Sequence, residues 1–175
     1  MPAEPTHGLA DVPDGLRIFL DANIFVYHFS GPTPLSPAAS TLLERVEAGS
    51  VAGVTSTLVL VETLHRLMIL EAVGTLKIPP RDAVRYLKEH PEQAKTLDRH
   101  HAVPAIVAGI GIAIADVQVD DVRRSHDIKR RFGFLTNDAV LVATMERLEI
   151  TALASNDGDF TRVDGLTVYQ PSPSP

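Results

Sequence analysis

Four carboxylate side chains stand at or near the ends of predicted strands in this 175-residue sequence: Asp21, Glu62, Asp138 and Asp157. Asp21 directly follows an apolar run over 16–20, and Asp157 lies two residues after a run that ends at Ser155. Carboxylates that meet in one cleft repel each other, which raises their pKa values and opposes folding. A divalent cation removes this conflict, and ligation by oxygen alone suits Mg²⁺ or Mn²⁺ better than Zn²⁺. The pattern therefore predicts a metal site that can bind a phosphodiester and activate water.

Each of the four carboxylates also has an interpretation that involves no chemistry. Asp21 can be a turn residue, and Asp157, which precedes a glycine, can belong to a hairpin turn. Glu62 can pair with Arg66 one helical turn later, and Asp138 can stabilise the first turn of a helix. Their joint position at strand ends is what favours the metal site.

Short apolar runs that alternate with helical patterns must position these residues. Strands are predicted over 16–20, 51–55, 112–119, 151–155 and 166–169. Helices are predicted over 36–48, 57–71, 81–89, 92–100, 120–132 and 138–148. This alternation predicts a three-layer α/β/α domain with a mainly parallel central sheet. Ligands bind beyond the carboxyl ends of the strands in such sheets, which is where the carboxylates lie.

The predicted domain extends over 16–170 and contains a helical insertion at about 74–104 that is punctuated by proline. The segments 1–15 and 171–175 are rich in residues that bury little surface, and they are predicted to be flexible tails.

The overall composition excludes several classes of function. Sixteen Lys and Arg against 22 Asp and Glu give a net charge of −6, which argues against binding nucleic acid through bulk positive charge. The absence of cysteine excludes disulfides, thiol nucleophiles and thiolate metal sites. No apolar run reaches the roughly 18 residues of a membrane span, and no signal peptide is visible, so a cytoplasmic protein without a membrane partner is expected.

Four segments resemble the motifs of the PIN domain family and occur in that family's order. They are IFLDANIF at 18–25, TSTLVLVE at 55–62, TNDAVLVA at 136–143 and SNDGDF at 155–160. The resemblance implies the PIN fold and a metal-dependent endoribonuclease. It assigns the catalytic roles and the Mg²⁺ or Mn²⁺ ligands to Asp21, Glu62, Asp138 and Asp157, with Asp159 as a further ligand. It also implies that Asn23 and Ser155 orient the site.

Small members of the family are mostly VapC-type toxins of type II toxin–antitoxin systems. The resemblance therefore implies an RNA substrate, a cognate antitoxin and a homodimer. The insertion and the N-terminal segment are longer than in compact toxins, so two alternatives stay open. One is a non-catalytic PIN-fold module that binds RNA or protein, and the other is a non-toxin PIN nuclease of RNA processing. An aspartate-nucleophile phosphatase is disfavoured because Asn23 stands where that class needs a second Asp.

Basic residues are candidates for RNA binding, and most of them lie on the predicted helix just before Asp138. The candidates are Arg66, Arg123, Arg124, Lys129, Arg130 and Arg131. The alternative is a solvated helix face, because Asp120, Asp121 and Asp127 are interleaved with the basic residues. A metal held jointly by His100 and His101 is disfavoured, since adjacent helical residues face different ways.

Overall fold

A computed structural model describes residues 7–173 and contains one six-stranded sheet. The strands are β1 (His7–Gly8), β2 (Arg17–Leu20), β3 (Ala52–Ser56), β4 (Ala113–Ala115), β5 (Ala152–Ala154) and β6 (Thr167–Gln170). Their order in the sheet is β1-β6-β5-β2-β3-β4, and every pair of neighbours is parallel. The predicted α/β fold with a parallel central sheet is confirmed.

Eight α-helices flank the sheet in the described part of the chain. They are α1 (Ala22–Phe29), α2 (Ser36–Glu47), α3 (Thr57–Leu76), α4 (Ala83–Glu89), α5 (Pro91–Ala94), α6 (Val103–Gly109), α7 (Val119–Phe132) and α8 (Thr136–Arg147). Short 3₁₀ helices occur at Leu9–Asp11, Pro80–Asp82, Arg99–Ala102 and Gly158–Arg162. The helix predicted over 92–100 is wrong, because α5 ends at Ala94. The amides of Asp98 and Arg99 donate to the Glu71 carboxylate instead of continuing a helix.

Strand β2 is the centre of the sheet and carries the first candidate carboxylate at its end. Its residues Ile18, Phe19 and Leu20 are completely buried. β2 lies between β3 and β5, so the chain leaves it toward one side and later returns on the other. The Thr55 hydroxyl of β3 donates to the Leu20 carbonyl oxygen at 3.0 Å and keeps the carboxyl ends of β2 and β3 together. Such a switch point is where open parallel sheets bind ligands.

An ion pair joins α7 to α8 and so fixes the helix that carries Asp138. Two guanidinium nitrogens of Arg147 donate to the Asp121 carboxylate at 2.8 and 2.9 Å. Burial acts to raise the pKa of Asp121, but the hydrogen bonds from Arg147 and from the Gln118 amide lower it overall. Asp121 is therefore part of a buried clasp, rather than one of the interleaved surface charges that its sequence position suggested.

The insertion has a small hydrophobic cluster of its own. Ala72, in the distal half of α3, packs with the buried side chains of Leu87 and Leu97. This cluster is separate from the main core and docks α4 and the following segment against α3.

The N-terminal segment departs from the predicted tail. His7 and Gly8 pair with Tyr169 and Gln170 of β6, and the side chains of Leu9 and Val12 are buried in the main core. A flexible tail is thus wrong for residues 7–12, because two apolar side chains suffice to dock a segment that has no periodicity. Residues 1–6 lie outside the described part. At the other end Pro171 is buried, residues 172–173 are exposed, and 174–175 lie outside the described part.

Among the described residues, no helix is long and apolar enough to cross a bilayer.

Replacement of Leu9 by Ala tests the docking of the N-terminal segment. Leu9 is 3% exposed, so the Leu9→Ala variant should lose about 2–4 kcal/mol of unfolding free energy in urea titrations. Val119→Ala is the matched control, because this side chain is 68% exposed and its truncation should cost less than about 0.5 kcal/mol. Equally small losses for both variants would mean that residues 7–12 do not pack as described.

Candidate active site

Asp21 occupies the N-cap of α1 at the carboxyl end of β2. One carboxylate oxygen, Oδ1, accepts a hydrogen bond from the Ala22 amide at 2.7 Å. The side chain is largely buried, and burial raises the pKa of Asp21. Hydrogen bonds from Ser155 and the Ala22 amide oppose this increase, while the charge of Glu62 adds to it. Asp21 is therefore a carboxylate that is held in place at an electrostatic cost.

Asn23 and Ser155 hold the other oxygen of Asp21. The Ser155 hydroxyl donates to Asp21 Oδ2 at 2.7 Å, and the Asn23 amide nitrogen donates to the same atom at 2.6 Å. Ser155 Oγ also accepts from the amide of Asp157 at 3.0 Å, and Asn23 Oδ1 accepts from the amide of Asn156 at 3.0 Å. These bonds tie the end of β5 to the start of α1, which is the geometry that the predicted orienting role requires.

The loop after β5 places two more carboxylates beside this network. Asp157 caps the short helix Gly158–Arg162 by accepting from the Asp159 amide at 2.9 Å. Asp159 in turn forms an ion pair with Arg162, one turn later. The buried Phe160 anchors this loop in the core. The hairpin alternative for Asp157 is wrong, because β5 and β6 are parallel.

Glu62 lies in the second turn of α3, which begins directly after β3. Its carboxylate accepts from Arg66 at 2.7 Å, so the ion pair expected from the sequence is present. The Glu62 side chain is only 26% exposed, and it acts electrostatically on both Asp21 and Asp138. Glu62 therefore belongs to the same cluster as the strand-end carboxylates, and its ion pair does not remove it from the site.

Asp138 is the second carboxylate of the cluster whose pKa is raised. Burial raises the pKa of Asp138 to about 6, and the charges of Asp157, Asp21, Glu62 and Asp159 contribute to the increase in that order. Each carboxylate predicted from the sequence thus acts on Asp138. The carboxylate cluster is defined as these five residues.

The donor chemistry of the carboxylate cluster fits a hard divalent cation, although the side chains do not enclose one as they stand. Among residues 7–173, no three carboxylates or imidazoles converge closely enough to form a cage. Glu62 forms an ion pair with Arg66, and Asp159 forms one with Arg162. Asp21 accepts a hydrogen bond from the Asn23 side chain. Mg²⁺ keeps several waters and needs only one or two carboxylates bound directly, so water-mediated contacts can serve the rest. The raised pKa of Asp138 shows that negative charge in this cleft lacks compensation.

The predicted RNA-binding residues fall into two groups. Arg123, Arg124 and Arg130 each pair with an acidic residue on the surface of α7 or α8. Arg124 contacts Glu146 near the end of α8, far along that helix from Asp138. These three pairs agree with a solvated helix face.

Of the three other basic residues, Lys129 and Arg66 have contacts in or next to the cluster, and Arg131 does not. Lys129 Nζ lies 3.3 Å from the Thr136 hydroxyl, two residues before Asp138, and Arg66 contacts Glu62. Arg131 pairs with Asp164 and lies over the ring of Phe132.

Sequence reasoning missed two features of the site. Arg162 forms an ion pair with Asp159. The two residues are three positions apart on a short helix, and this spacing could have predicted the pair. Tyr27 accepts from the Asn156 side-chain amide at 2.8 Å, which links α1 to the loop after β5. No sequence spacing indicates that second contact, because the two residues are 129 positions apart.

The family model of the PIN domain matches residues 18–166. The chain belongs to the PIN domain family. Ribonuclease VapC2 of Methanocaldococcus jannaschii is 29% identical over 155 residues, which cover 88% of this chain and 93% of the relative. Ribonuclease VapC6 of the same organism is 30% identical over a shorter stretch of 59 residues, 34% of this chain and 39% of the relative.

Three solved structures share the fold. Mycobacterium tuberculosis VapC20, a sarcin–ricin loop cleaving toxin, superposes with a TM-score of 0.55 at 20% identity over 82% of this chain and 92% of that chain. VapBC2 of Rickettsia felis, bound to a DNA fragment of its promoter, gives 0.56 at 15% identity over 90% of this chain and 100% of that chain. A toxin–antitoxin complex of Klebsiella pneumoniae superposes with a TM-score of 0.52 at 21% identity, over 90% of this chain and 99% of that chain.

The Asp138→Asn variant tests the electrostatic cost of the carboxylate cluster. The folded-state pKa of Asp138 is about 6, and its ordinary value is 3.8. Ionisation of Asp138 therefore destabilises the fold increasingly as the pH rises from about 4 to 6, and the loss of stability is complete above pH 6. In EDTA, Asp138→Asn should raise the melting temperature by about 2–6 °C at pH 8 and by less than about 1 °C at pH 4. Asp120→Asn, on the exposed face of α7, is the control and should show no such pH dependence. If Asp138→Asn were less stable than the wild type at pH 8, the claim that neighbouring carboxylates repel Asp138 would be contradicted.

Proposed function

We propose that this protein is a metal-dependent endoribonuclease and the toxin of a type II toxin–antitoxin system. The observation that carries the proposal is the carboxylate cluster at the carboxyl end of β2, in a chain that belongs to the PIN domain family. The ribonuclease activity in the name of its VapC2 relative supports the reaction class. The toxin–antitoxin complex among the structures with the same fold supports the biological setting.

Asp21, Asp138 and Asp157 would hold Mg²⁺ or Mn²⁺, and Glu62 and Asp159 would join them directly or through water. When bound, the cation supplies a site that polarises a phosphodiester and lowers the pKa of water. Ser155 and Asn23 keep Asp21 Oδ2 in a fixed orientation, so that this ligand needs no rearrangement. Such prior orientation is what makes a polar site effective in catalysis.

The two arginines of the site would change partners when substrate binds. Arg66 and Arg162 neutralise Glu62 and Asp159 in the protein without cation. Glu62 and Asp159 would contact the cation in place of these ion pairs, and both guanidinium groups would then be free to bind phosphate oxygens of the RNA. Arg66 and Arg162 would thus serve both to neutralise the cluster and to bind substrate.

A cognate antitoxin protein and a homodimeric assembly follow from the toxin assignment, and an RNA substrate places the protein in the cytoplasm. Neither alternative use of the PIN fold has a comparable observation behind it. The five carboxylates are all present and four of them raise the pKa of Asp138, which is a costly arrangement for a module that only binds a partner.

Cleavage of RNA by matched variants tests the function. The wild type should cut single-stranded RNA in the presence of Mn²⁺, while Asp21→Asn and Asp157→Asn should be slower by about 10²-fold or more, since each removes a carboxylate that would hold the cation. Asp164→Asn is the control, because this exposed carboxylate pairs with Arg131 outside the cluster. Fragment analysis on denaturing gels measures the rates.

Wild-type rates in Asp21→Asn would exclude this site, and the absence of Mn²⁺ binding would favour a non-catalytic module. Induction of the wild type in cells should arrest growth, and induction of Asp21→Asn should not. Cleavage without growth arrest would favour a nuclease of RNA processing.

Two basic residues of α7 form a matched pair for the RNA-binding surface. Lys129 contacts Thr136, two residues before Asp138, whereas Arg123 pairs with Asp120 on the exposed face. Lys129→Gln should weaken RNA binding at low salt and reduce the slope of log affinity against log salt by about 0.7 to 1. Arg123→Gln should leave the slope unchanged. Fluorescence anisotropy at several salt concentrations measures both, and equal slopes for the wild type and Lys129→Gln would remove Lys129 from the surface.

A further inference from the structure

Asn156 is bound at two points by side chains of α1. It lies in the loop after β5, between Ser155 and Asp157 of the carboxylate cluster. The backbone amide of Asn156 donates to Asn23 Oδ1 at 3.0 Å, and its side-chain amide donates to the Tyr27 hydroxyl at 2.8 Å. Hydrogen bonds between two side chains are a small minority in proteins, so an exposed loop residue with such a partner requires an explanation.

The spacing of Asn23 and Tyr27 makes this double attachment possible. The two residues are four positions apart in α1, so they lie on the same face of the helix with Cβ atoms about 5–6 Å apart. The ring of Tyr27 packs against the main core, and its hydroxyl contacts Asn156. Phenylalanine would keep the packed ring and lose only the oxygen that accepts this bond, so the two contributions of Tyr27 can be separated.

Asn23 is a fixed support for the first of the two bonds. Its Nδ2 atom donates to Asp21 Oδ2 at 2.6 Å and to Ser155 Oγ at 3.0 Å. The bond from the Asn156 amide to Asn23 therefore anchors one point of the loop to the carboxyl end of β2. A loop that is held at this point by one hydrogen bond can still turn about that contact. The second bond, to Tyr27 one helical turn farther along α1, restricts this rotation.

The orientation of Asn156 matters because Asp157 is the next residue. The charge of Asp157 raises the pKa of Asp138 more than the charge of any other carboxylate does. The two carboxylates therefore repel, and their repulsion favours any movement of the loop that takes Asp157 away from α8. Attachment of Asn156 to α1 opposes such a movement before a cation is bound.

We propose that Tyr27 is a positioning residue of the carboxylate cluster, which acts through Asn156 to keep Asp157 where it can share a cation with Asp21. This role rests on the proposed function, because it requires that the cluster binds a cation. Side chains that orient metal ligands without contacting the metal commonly change metal affinity by about 10- to 100-fold. Tyr27 acts through one more residue, so the expected effect is smaller, about three- to tenfold, as for the loss of a single hydrogen bond.

Hydrogen exchange of the full chain in EDTA tests the attachment without a cation. In Tyr27→Phe, the amides of Asp157 and Asp159, which both donate hydrogen bonds within the loop, should exchange about three- to tenfold faster than in the wild type, because the loop opens more often. Tyr86→Phe is the matched control, since this ring stacks on His90 in α4, and it should leave both rates unchanged. Nuclear magnetic resonance measures the exchange of each amide.

Titration with Mn²⁺ measures the consequence for the cation. The Kd of Tyr27→Phe for Mn²⁺ should be about three- to tenfold higher than that of the wild type, and Tyr86→Phe should bind like the wild type. Asn156→Ala should weaken binding by a similar factor. The double variant of Tyr27→Phe and Asn156→Ala should bind no more weakly than the weaker single variant, because both changes remove the same bond. Isothermal titration calorimetry measures these constants.

Three results would overturn the role of Tyr27 while the proposed function stands. They are unchanged exchange in Tyr27→Phe, faster exchange with an unchanged Kd for Mn²⁺, and additive losses of affinity in the double variant. The second result is what a contact that only stabilises the fold would give. Absence of Mn²⁺ binding by the wild type would overturn both the role of Tyr27 and the proposed function. Wild-type binding of Mn²⁺ without cleavage of RNA would overturn the proposed function alone.

Discussion

Repulsion between carboxylates at one end of the central strand is the constraint on which the rest of this structure depends. Asp21 is buried there because it follows β2 directly and caps α1. The parallel neighbours of β2 then bring the loop after β5 and the start of α3 to the same edge. The result is a cleft in which negative charge accumulates, and the pKa values of both Asp21 and Asp138 are raised there.

The fold maintains this unfavourable arrangement through three kinds of contact. Hydrogen bonds from Ser155 and Asn23 fix Asp21, and Arg66 and Arg162 neutralise the two outer carboxylates. Remote from the cleft, the clasp between Arg147 and Asp121 holds α8 so that Asp138 cannot move away. Stability is thus spent to keep negative charge in this cleft, which is typical of functional sites that oppose folding.

The sequence was informative where a local pattern determines the outcome. The apolar runs before Asp21 and Ser155 predicted β2 and β5, and strand–helix alternation predicted a parallel sheet. Parallel pairing alone was enough to bring the carboxylates together. The ion pair between Glu62 and Arg66 was predicted as an alternative to a functional role. The structure shows that this pair forms and that Glu62 also raises the pKa of Asp138.

The sequence was uninformative where long-range contacts decide. Leu9 and Val12 show no periodicity, so their docking through β1 depends on β6, more than 150 residues later. The helix expected over 92–100 does not form because Glu71 captures two backbone amides from another part of the chain. The contacts of Asp121 with Arg147 and of Tyr27 with Asn156 could not be predicted for the same reason, because the partners are far apart in the sequence.

Proton release on Mn²⁺ binding tests the central claim most directly. If the cation relieves the repulsion at Asp138, whose pKa is about 6, binding at pH 6 should release about half a proton from this residue, and binding at pH 8 should release almost none. Calorimetry in buffers of different ionisation enthalpy measures both numbers. Binding with the same proton release at both pH values, or no binding at all, would contradict the account.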